Sequence, residues 1–568
     1  MARSERTVSG DMAGTSLSAS PGAGEDALRR IIAELVEVPG EGPIPARGLD
    51  AILRRHPKEG RGFYSKREIL RAFRTAPGAW PMAEAAFAER LRTCPTRSQS
   101  GVLPVTVLTK PFPCPGRCVF CPDEVRMPRS YLPDEPGCQR ALAHGFDPYR
   151  QTWSRLEAYR EMGHRTDKVE LIVLGGTWSA YPERYQRWFV ARSFEALNDF
   201  GAGLDARQGA RAESSEGADW ARVERAHREN EQAGSRCVGL AFETRPDHVS
   251  PAELLQLRRL GATKVQLGLQ SLDDSLLRAN GRGHDVATSR MAMARLRRAG
   301  FKLHVHWMPN LVGATPASDR RDFARLFDDP AIRPDELKVY PCSLIESAAL
   351  MKVHARGGWR PYGREELIEL LADLLPTVPA WCRVTRVIRD IPSPDIVAGN
   401  RQTNLREVVE ARIGERGSRL REIRAREIRR RPVEADRLRP VDRRYDTSTG
   451  DEHFLEAQDE RGRLAGFARL SLPKGGGAPE ELRGCALLRE VHVYGPVAAL
   501  EERVPGRPQH AGLGSRLVAR AEVAARKAGY GELAVISSVG TRAWYRRRGF
   551  GDGGLYQHKT LAEGSPRT

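Results

Sequence analysis

Nowhere in its 568 residues does the chain run for about twenty apolar residues, so no membrane-spanning helix is expected. The stretch Met1 to Glu25 is rich in Ser, Gly and Ala and has no apolar centre, which argues against a secretory signal and for disorder. Cysteine is scarce as well. Nine in this length exclude a disulfide-stapled scaffold and fit a reducing, cytoplasmic compartment. Acidic groups fall short of basic ones, 73 against 91, for a formal net charge of +18. That balance favours a polyanionic partner such as RNA, DNA or an anionic membrane face, although a generally solvated basic surface gives the same count.

The length is too great for one core, so two or three domains are expected. After residues 1–25, residues 26–94 read as a small helical region with apolar helical spacing in Ala27–Val36 and Lys66–Phe73 and an Ala-rich segment Ala83–Leu91. Arg54, Arg55, His56, Lys58, Arg61, Lys66, Arg67, Arg71 and Arg74 make it basic, a candidate RNA-contacting module or an ordinary solvated face.

Residues 95–400 alternate strands and helices. Val102–Leu108, Val169–Leu174, Val238–Glu243, Lys264–Gln270, Phe301–Trp307, Leu337–Pro341 and Arg383–Ile388 read as short buried strands, with helical patterns between them. Such alternation predicts βαβ units and a parallel sheet, closed as a partial (β/α) barrel with its site at the C-terminal strand ends. Residues 203–235, poor in large apolar side chains, read as a surface insertion. Residues 401–444 form an Arg-rich linker: from 415 to 444 there are 12 Arg against 6 acidic residues. This suits either phosphate contact or a salt-bridged connector. Its part Leu420–Arg429 reads as a strand or linker. Residues 445–568 then change to antiparallel strands and a helix: Glu452–Asp459, Leu464–Leu472, Leu487–Tyr494, a helix Gly512–Ala528, a strand Leu533–Ser537 and a short helix Gly540–Arg548. The fold class is therefore α/β: a partial barrel, a smaller α+β domain and a basic helical N-terminal region.

Three of the cysteines sit together. Cys114, Cys118 and Cys121 follow the first barrel strand with Cys-x-x-x-Cys-x-x-Cys spacing. Three thiolates can ligate three irons of a 4Fe–4S cluster and leave the fourth iron open to a small molecule. Zinc normally takes a fourth protein ligand, and no Cys or His stands at a partner spacing nearby. Cys138, the only close thiol, lies in a polar, turn-like stretch. The spacing resembles the signature of the radical S-adenosylmethionine (SAM) enzymes. That resemblance implies SAM held on the open iron through its amino and carboxylate groups, and its one-electron cleavage to a 5′-deoxyadenosyl radical.

A second motif, Gln509-His510-Ala511-Gly512-Leu513-Gly514-Ser515, opens the helix of the last domain. Glycines let the backbone approach a pyrophosphate, and a helix N-terminus supplies donors and a favourable dipole. It resembles the acetyl-coenzyme A loop of the GNAT acetyltransferases. Glu490, His492 and Val493 on the preceding strand and Tyr545 in a Tyr-x-x-x-Gly-Phe close complete that resemblance, with Tyr545 expected at the thioester sulfur.

Joined in one chain, the two motifs resemble the family of the Elongator catalytic subunit and its free-standing bacterial and archaeal relatives, tRNA uridine acetyltransferases/carboxymethyluridine synthases. Stretches such as Glu243-Thr244-Arg245-Pro246-Asp247, Gly268-Leu269-Gln270-Ser271, Asn280-Gly281-Arg282-Gly283-His284 and Arg489-Glu490-Val491-His492 match it. The resemblance implies hydrogen abstraction from the methyl of acetyl-coenzyme A and addition of the carbon radical to C5 of the wobble uracil. Loss of an electron and a proton and thioester hydrolysis then leave 5-carboxymethyluridine. It implies a tRNA anticodon stem-loop as partner and an external one-electron donor. Cys114, Cys118 and Cys121 are assigned to the cluster. Gly175, Gly176 and Thr177 are assigned to the SAM amino group; Glu243, Arg245 and Gln270 are candidates to bind SAM or substrate, with Glu243 and Arg245 alternatively members of structural ion pairs. Lys264, Lys338 and Tyr340 are candidates to steer thioester or base, whereas His304 and His306 are expected to be packed or hydrogen-bonded inside the barrel. Many relatives carry a Cys-rich zinc segment between the domains. The corresponding Leu420–Glu427 has no cysteine, so no zinc is expected there. The tight cysteine spacing is of the bacterial type and implies independence of Elongator accessory subunits. The competing reading is a protein-lysine acetyltransferase with a structural cluster and Glu490 as the candidate base; a non-catalytic RNA-binding protein is a further one.

Overall fold

The structure, a computed structural model, describes residues 23–40, 42–58, 63–76, 78–91, 101–205, 217–429, 435–495 and 512–561. The chain divides into two compact units, residues 1–95 with 158–164, and residues 96–157 with 165–568. No helix among the described residues is long and apolar enough to cross a membrane.

In the first unit, helices Ala23–Glu37, Ala46–Arg55, Lys66–Arg74 and Glu84–Leu91 bury Ile31, Ile32, Leu35, Ile69, Leu70 and Phe87. Ser65 and Glu68 form a reciprocal capping box at the start of the third helix. The helix Ala46–Arg55 lies within the region read as helical, although its own spacing was not singled out. Much of the basic run is paired: Arg55 and His56 with Glu34, Lys58 with Glu68, Arg67 with Glu161 and Arg74 with Glu84. Arg61 lies outside the described residues, as do residues 1–22 of the stretch expected to be disordered.

The second unit holds two seven-stranded sheets. The first runs β1 (Leu103–Leu108), β2 (Lys168–Leu174), β3 (Arg236–Thr244), β4 (Lys264–Gln270), β5 (Lys302–Trp307), β6 (Glu336–Val339) and β8 (Arg383–Arg386), all neighbours parallel. A small pair, β7 (Leu344–Ile345) and β9 (Ile396–Ala398), lies apart. Helices lie between successive strands in the chain, as parallel βαβ units require. The half-barrel expected from the strand–helix alternation is present. The stretch read as a surface insertion is not wholly one. Residues 206–216 lie outside the described residues, but Trp220–Asn230 is a helix, capped by the Asp219 carboxylate, that buries Val223, Ala226, His227 and Asn230. Cys138 lies in the helix Pro136–Ala143, fully buried, rather than in a polar turn.

The second sheet orders β10 (Arg439–Thr447), β11 (Gly450–Gln458), β12 (Leu464–Pro473), β13 (Ala486–Val493), β14 (Glu532–Val535), β16 (Gln557–Thr560) and β15 (Gly551–Asp552). The helix Leu513–Lys527 packs Leu513, Leu517, Val518 and Ala521 into its core. β10 starts inside the stretch assigned to the linker, so the sheet begins at Arg439 and not at residue 445. Leu420–Arg429 contains a helical turn, Ile423–Arg426, in place of a strand. Several arginines of this connector are held by carboxylates: Arg406 by Glu410 and Glu422, Arg412 and Arg416 by Glu369, and Arg426 by Glu456.

Buried ion pairs join the two sheets. Arg489 on β13 pairs with Asp335, at the foot of β6, and with Glu452; Arg469 on β12 reaches Asp335 and Glu490; Lys302 on β5 reaches Glu490. The hydroxyls of Ser538 and Tyr556 donate to the barrel carbonyls of Cys237 and Ala299, at 2.7 and 2.8 Å.

Candidate radical and acyl-transfer site

The loop after β1 carries the three thiols past the C-terminal ends of the strands. Cys114 Sγ lies 3.5 Å from Thr177 Oγ1. Cys118 Sγ accepts from the Arg282 guanidinium at 3.0 Å and faces Arg245 at 4.0 Å. Cys121 Sγ lies 3.0 Å from Ser130 Oγ. Cys118 and Cys121 also pair with each other. That bond, with Arg282 and Arg245 behind it, overcomes burial and pulls the Cys118 thiol down to about 5. The same pairing and burial push Cys121 up. Gly116 makes room for this arrangement, because a Cβ there would stand 2.2 Å from Arg245 Nη1. Three thiols on one loop, with cationic groups beside the central one, fit a 4Fe–4S cluster held by thiolates.

The glycines expected to face SAM lie at the end of β2. Gly175 has φ +138°, and a Cβ there would fall 1.8 Å from Thr109 Oγ1. Thr177, 3% exposed, follows them. Gln270, at the end of β4, has φ +72°, a left-handed conformation that costs a residue with a side chain, and its buried Oε1 has no partner. A strained, orphaned amide beside a thiol loop fits a group that binds a polar ligand. Arg245 is held by Asp247 at 2.9 Å and donates to the Arg282 carbonyl at 2.5 Å. Glu243 Oε2 accepts from Tyr131 OH at 3.1 Å.

A line of polar side chains runs down the barrel interior from here. His306 Nδ1 lies 3.7 Å from Glu243, and its Nε2 lies 3.2 Å from Gln266 Oε1, which also accepts from Lys338 Nζ at 2.5 Å. The His306 and Tyr340 rings touch edge to face, centroids 5.6 Å apart. Burial lowers Lys338 to about 8 and drives both histidines well below their ordinary range. His304 bonds Thr385 at 3.0 Å and faces Glu336 at 3.3 Å, so both histidines are internal hydrogen-bonding groups as expected. Lys264 sits at the opposite, N-terminal end of its strand from Gln270. Burial opposes its charge, but Glu170 and Glu336 outweigh that and hold its pKa up. Lys264 therefore stands nearer the second sheet than the thiol loop. Glu336 and Lys302 continue the line, 3.6 Å apart, to Glu490 of β13.

In the second sheet, β13 pairs with the parallel β14 only over Ala486–Leu488, and beyond this the two strands no longer pair. The helix Leu513–Lys527 starts beside that opening. Gly512 caps it with φ +70°, and Gly514 lies against Trp544, where a Cβ would come within 3.1 Å of the indole. Ser515 Oγ accepts from Arg548 at 2.8 and 3.0 Å. Gln509, His510 and Ala511 lie outside the described residues. His492 stacks on Phe467, and its buried Nε2 has no partner; burial lowers it to about 4. Val493, the last residue of β13, lies at the same opening. Tyr545 is 7% exposed and packs edge-on against Trp544 and Phe550.

Sequence reasoning missed Arg282, Gln266, Glu170, Glu336, Tyr131 and Ser130. Arg282 was within reach, because it sits in the matched stretch Asn280–His284. The others gain meaning only from the neighbouring strands.

The radical SAM superfamily pattern matches residues 113–326, and the Radical_SAM C-terminal domain pattern matches residues 334–415. A tRNA uridine(34) acetyltransferase of Dehalococcoides mccartyi is 39% identical over 466 residues, 80% of this chain and 96% of that protein. Elongator complex protein 3 of Danio rerio is 36% identical over 85% of this chain and 88% of its own length. The structure of Methanocaldococcus infernus Elp3 lacking its first 46 residues is similar with a TM-score of 0.68, at 34% identity, over 81% of this chain and all of that one. By the extent of these matches, the chain belongs to the radical SAM enzyme family that includes the tRNA uridine(34) acetyltransferases and Elongator complex protein 3.

Proposed function

We propose that the chain carboxymethylates C5 of the wobble uridine of tRNA, drawing the two-carbon unit from acetyl-coenzyme A. The observation that carries this reading is the polar line through the barrel, Glu243–His306–Gln266–Lys338 and Lys264–Glu336–Lys302–Glu490, which runs from the thiol loop toward the second sheet. Cys114, Cys118 and Cys121 would hold the cluster, which when bound supplies the electron that cleaves SAM. Gly175, Gly176, Thr177 and Gln270 would seat SAM, with Glu243 and Arg245 fixed beside it by Tyr131 and Asp247. Lys338 and Tyr340, part-way down the interior, would steer the thioester or the base. Lys264, locked between two carboxylates, acts as a positioning group.

The second sheet has the makings of a GNAT acetyltransferase fold: a parallel pair that parts, and a glycine-led helix opening beside the gap. Gly512, Leu513, Gly514 and Ser515 would present backbone N–H groups to the coenzyme A pyrophosphate, and Gln509, His510 and Ala511, which precede them in the motif, would belong to the same binding segment. His492, Val493 and Tyr545 would border the thioester. The RNA partner is the anticodon stem-loop of tRNA, the electron comes from an external one-electron donor, and no Elongator accessory subunits are needed. Lysine acetylation is the weaker reading. Its candidate base, Glu490, is clamped by Lys302 and Arg469 and held down at about 2 against the burial that opposes ionisation, too weak a base to deprotonate an amine.

The test is anaerobic incubation of the cluster-loaded enzyme with SAM, a reductant, tRNA and acetyl-coenzyme A labelled in the acetyl group. Label should appear in the wobble uridine, and only with SAM present. Label on protein lysines without SAM, and none in tRNA, would overturn the reading.

A further inference from the structure

Away from the barrel and from the coenzyme A loop, three strands of the second sheet bring a thiol, an imidazole and a carboxylate together. Cys485 immediately precedes β13, Glu532 opens β14, and His558 is the second residue of β16. The register dictates the meeting. β13 and β14 are parallel with Ala486 opposite Leu533, which sets Cys485 beside Glu532. β14 and β16 are antiparallel with Ala534 opposite His558, and Ala534 shares a sheet face with Glu532 two residues away. One ligand atom from each of the three lies within 4.8 Å of the other two.

We infer that Cys485, Glu532 and His558 form a zinc site with three protein ligands and one position left for water. Zinc takes thiolate, imidazole and carboxylate at about 2.0–2.3 Å, which in a tetrahedron sets ligand atoms roughly 3.3–3.7 Å apart. His558 Nδ1 stands 3.0 Å from Glu532 Oε1 and 4.0 Å from Cys485 Sγ, each within about half an ångström of that range. Thiolate and carboxylate together neutralise a dication, and a donor set of one sulfur, one nitrogen and one oxygen suits zinc better than a hard cation.

The imidazole is aimed by a fourth side chain. His558 Nε2 faces Glu481 Oε1 at 3.3 Å, and that carboxylate is itself fixed by the backbone N–H groups of Leu555 and Tyr556, at 2.9 and 3.1 Å. A carboxylate on the far ring nitrogen sets the tautomer that leaves the Nδ1 lone pair toward Cys485 and Glu532, the arrangement that supports metal-bound histidines. The backbone is cut to admit it: a Cβ on Gly553 would lie 2.4 Å from Glu481 Oε1 and 2.9 Å from His558 Cδ2. Cys485 is 2% exposed, whereas the Glu532 side chain is 45% exposed, so the site opens to solvent mainly on the carboxylate side. This site is independent of the Leu420–Glu427 segment, where no zinc is expected.

The test uses the cluster-loaded full chain, so that the three loop cysteines are already occupied. Equilibrated with zinc and desalted, wild type should retain about one zinc per chain. Cys485→Ser should lose it with the iron content unchanged. Glu481→Gln, which leaves all three ligands in place, should weaken zinc binding by about 10–100-fold. With cobalt(II) in place of zinc, wild type should show the strong visible d–d bands of a tetrahedral site, absent from Cys485→Ser. Equal zinc in wild type and Cys485→Ser, or none in wild type, would overturn the assignment.

Discussion

Arg489 on β13 and Asp335 at the foot of β6 form an ion pair in which both side chains are 0% exposed, and it crosses from the second sheet to the barrel. Asp335 also accepts the backbone N–H of Leu303 at 2.9 Å, and Arg489 donates to the Phe301 carbonyl at 3.0 Å. The pair is therefore tied into the backbone on the barrel side. Removing one partner of such a pair strands a buried charge. Arg489→Ala should cost about 3–5 kcal/mol, read as a lower urea midpoint for the second unit. A change under about 1 kcal/mol, typical of an exposed pair, would mean that the sheets are not joined through this contact.

Glu490 predicts a pH dependence. Burial opposes its ionisation, but Lys302 and Arg469 prevail and hold it at about 2, below the ordinary 4.5. A carboxyl whose folded pKa is depressed stabilises the fold fully above its unfolded pKa, and that contribution is lost as pH falls through the folded value. Wild type should therefore exceed Glu490→Gln in stability at pH 7, and the gap should shrink as pH falls from about 5 toward 2. Parallel curves across that range would contradict the assignment.

Gln270 separates strain from binding. Its left-handed backbone suits glycine better, so Gln270→Gly should keep or raise stability, by up to about 1 kcal/mol. The same change removes the orphaned amide, and SAM binding measured by calorimetry should weaken at least about tenfold, the loss of one hydrogen bond to a charged ligand. Unchanged affinity would remove Gln270 from the SAM site.

The barrel was legible because short strands rich in buried apolar residues alternate with helical patterns and end at polar or glycine turns. β10 was missed because its nine residues, Arg439–Thr447, bury only Tyr445; an edge strand exposed on most of its length carries no apolar alternation. The helix Trp220–Asn230 was hidden among Arg, Glu and Ala residues, although its Asp219 cap was a usable signal. The cysteine motif could be read locally because its three thiols share one loop. Lys264 could not. Whether a strand-end lysine is free or locked depends on Glu170 and Glu336, which arrive from β2 and β6. Several connector arginines pose the same difficulty, since carboxylates that pair with them lie as far as 16 to 47 positions away.

The cluster assignment predicts a sharp split between iron and fold. Cys118→Ala removes the thiolate that Arg282 and Arg245 face. Reconstituted protein should lose its iron and the visible absorption of the cluster, while far-ultraviolet circular dichroism stays that of wild type. Full iron loading in the variant would place the cluster elsewhere.

The central claim is that the acetyl methyl gives up the hydrogen. With acetyl-coenzyme A deuterated on that methyl, the cluster-loaded enzyme, tRNA and SAM should yield 5′-deoxyadenosine carrying one deuterium, in step with carboxymethyluridine, and neither product should form with Cys118→Ala. Carboxymethyluridine formed alongside wholly unlabelled 5′-deoxyadenosine would contradict the account.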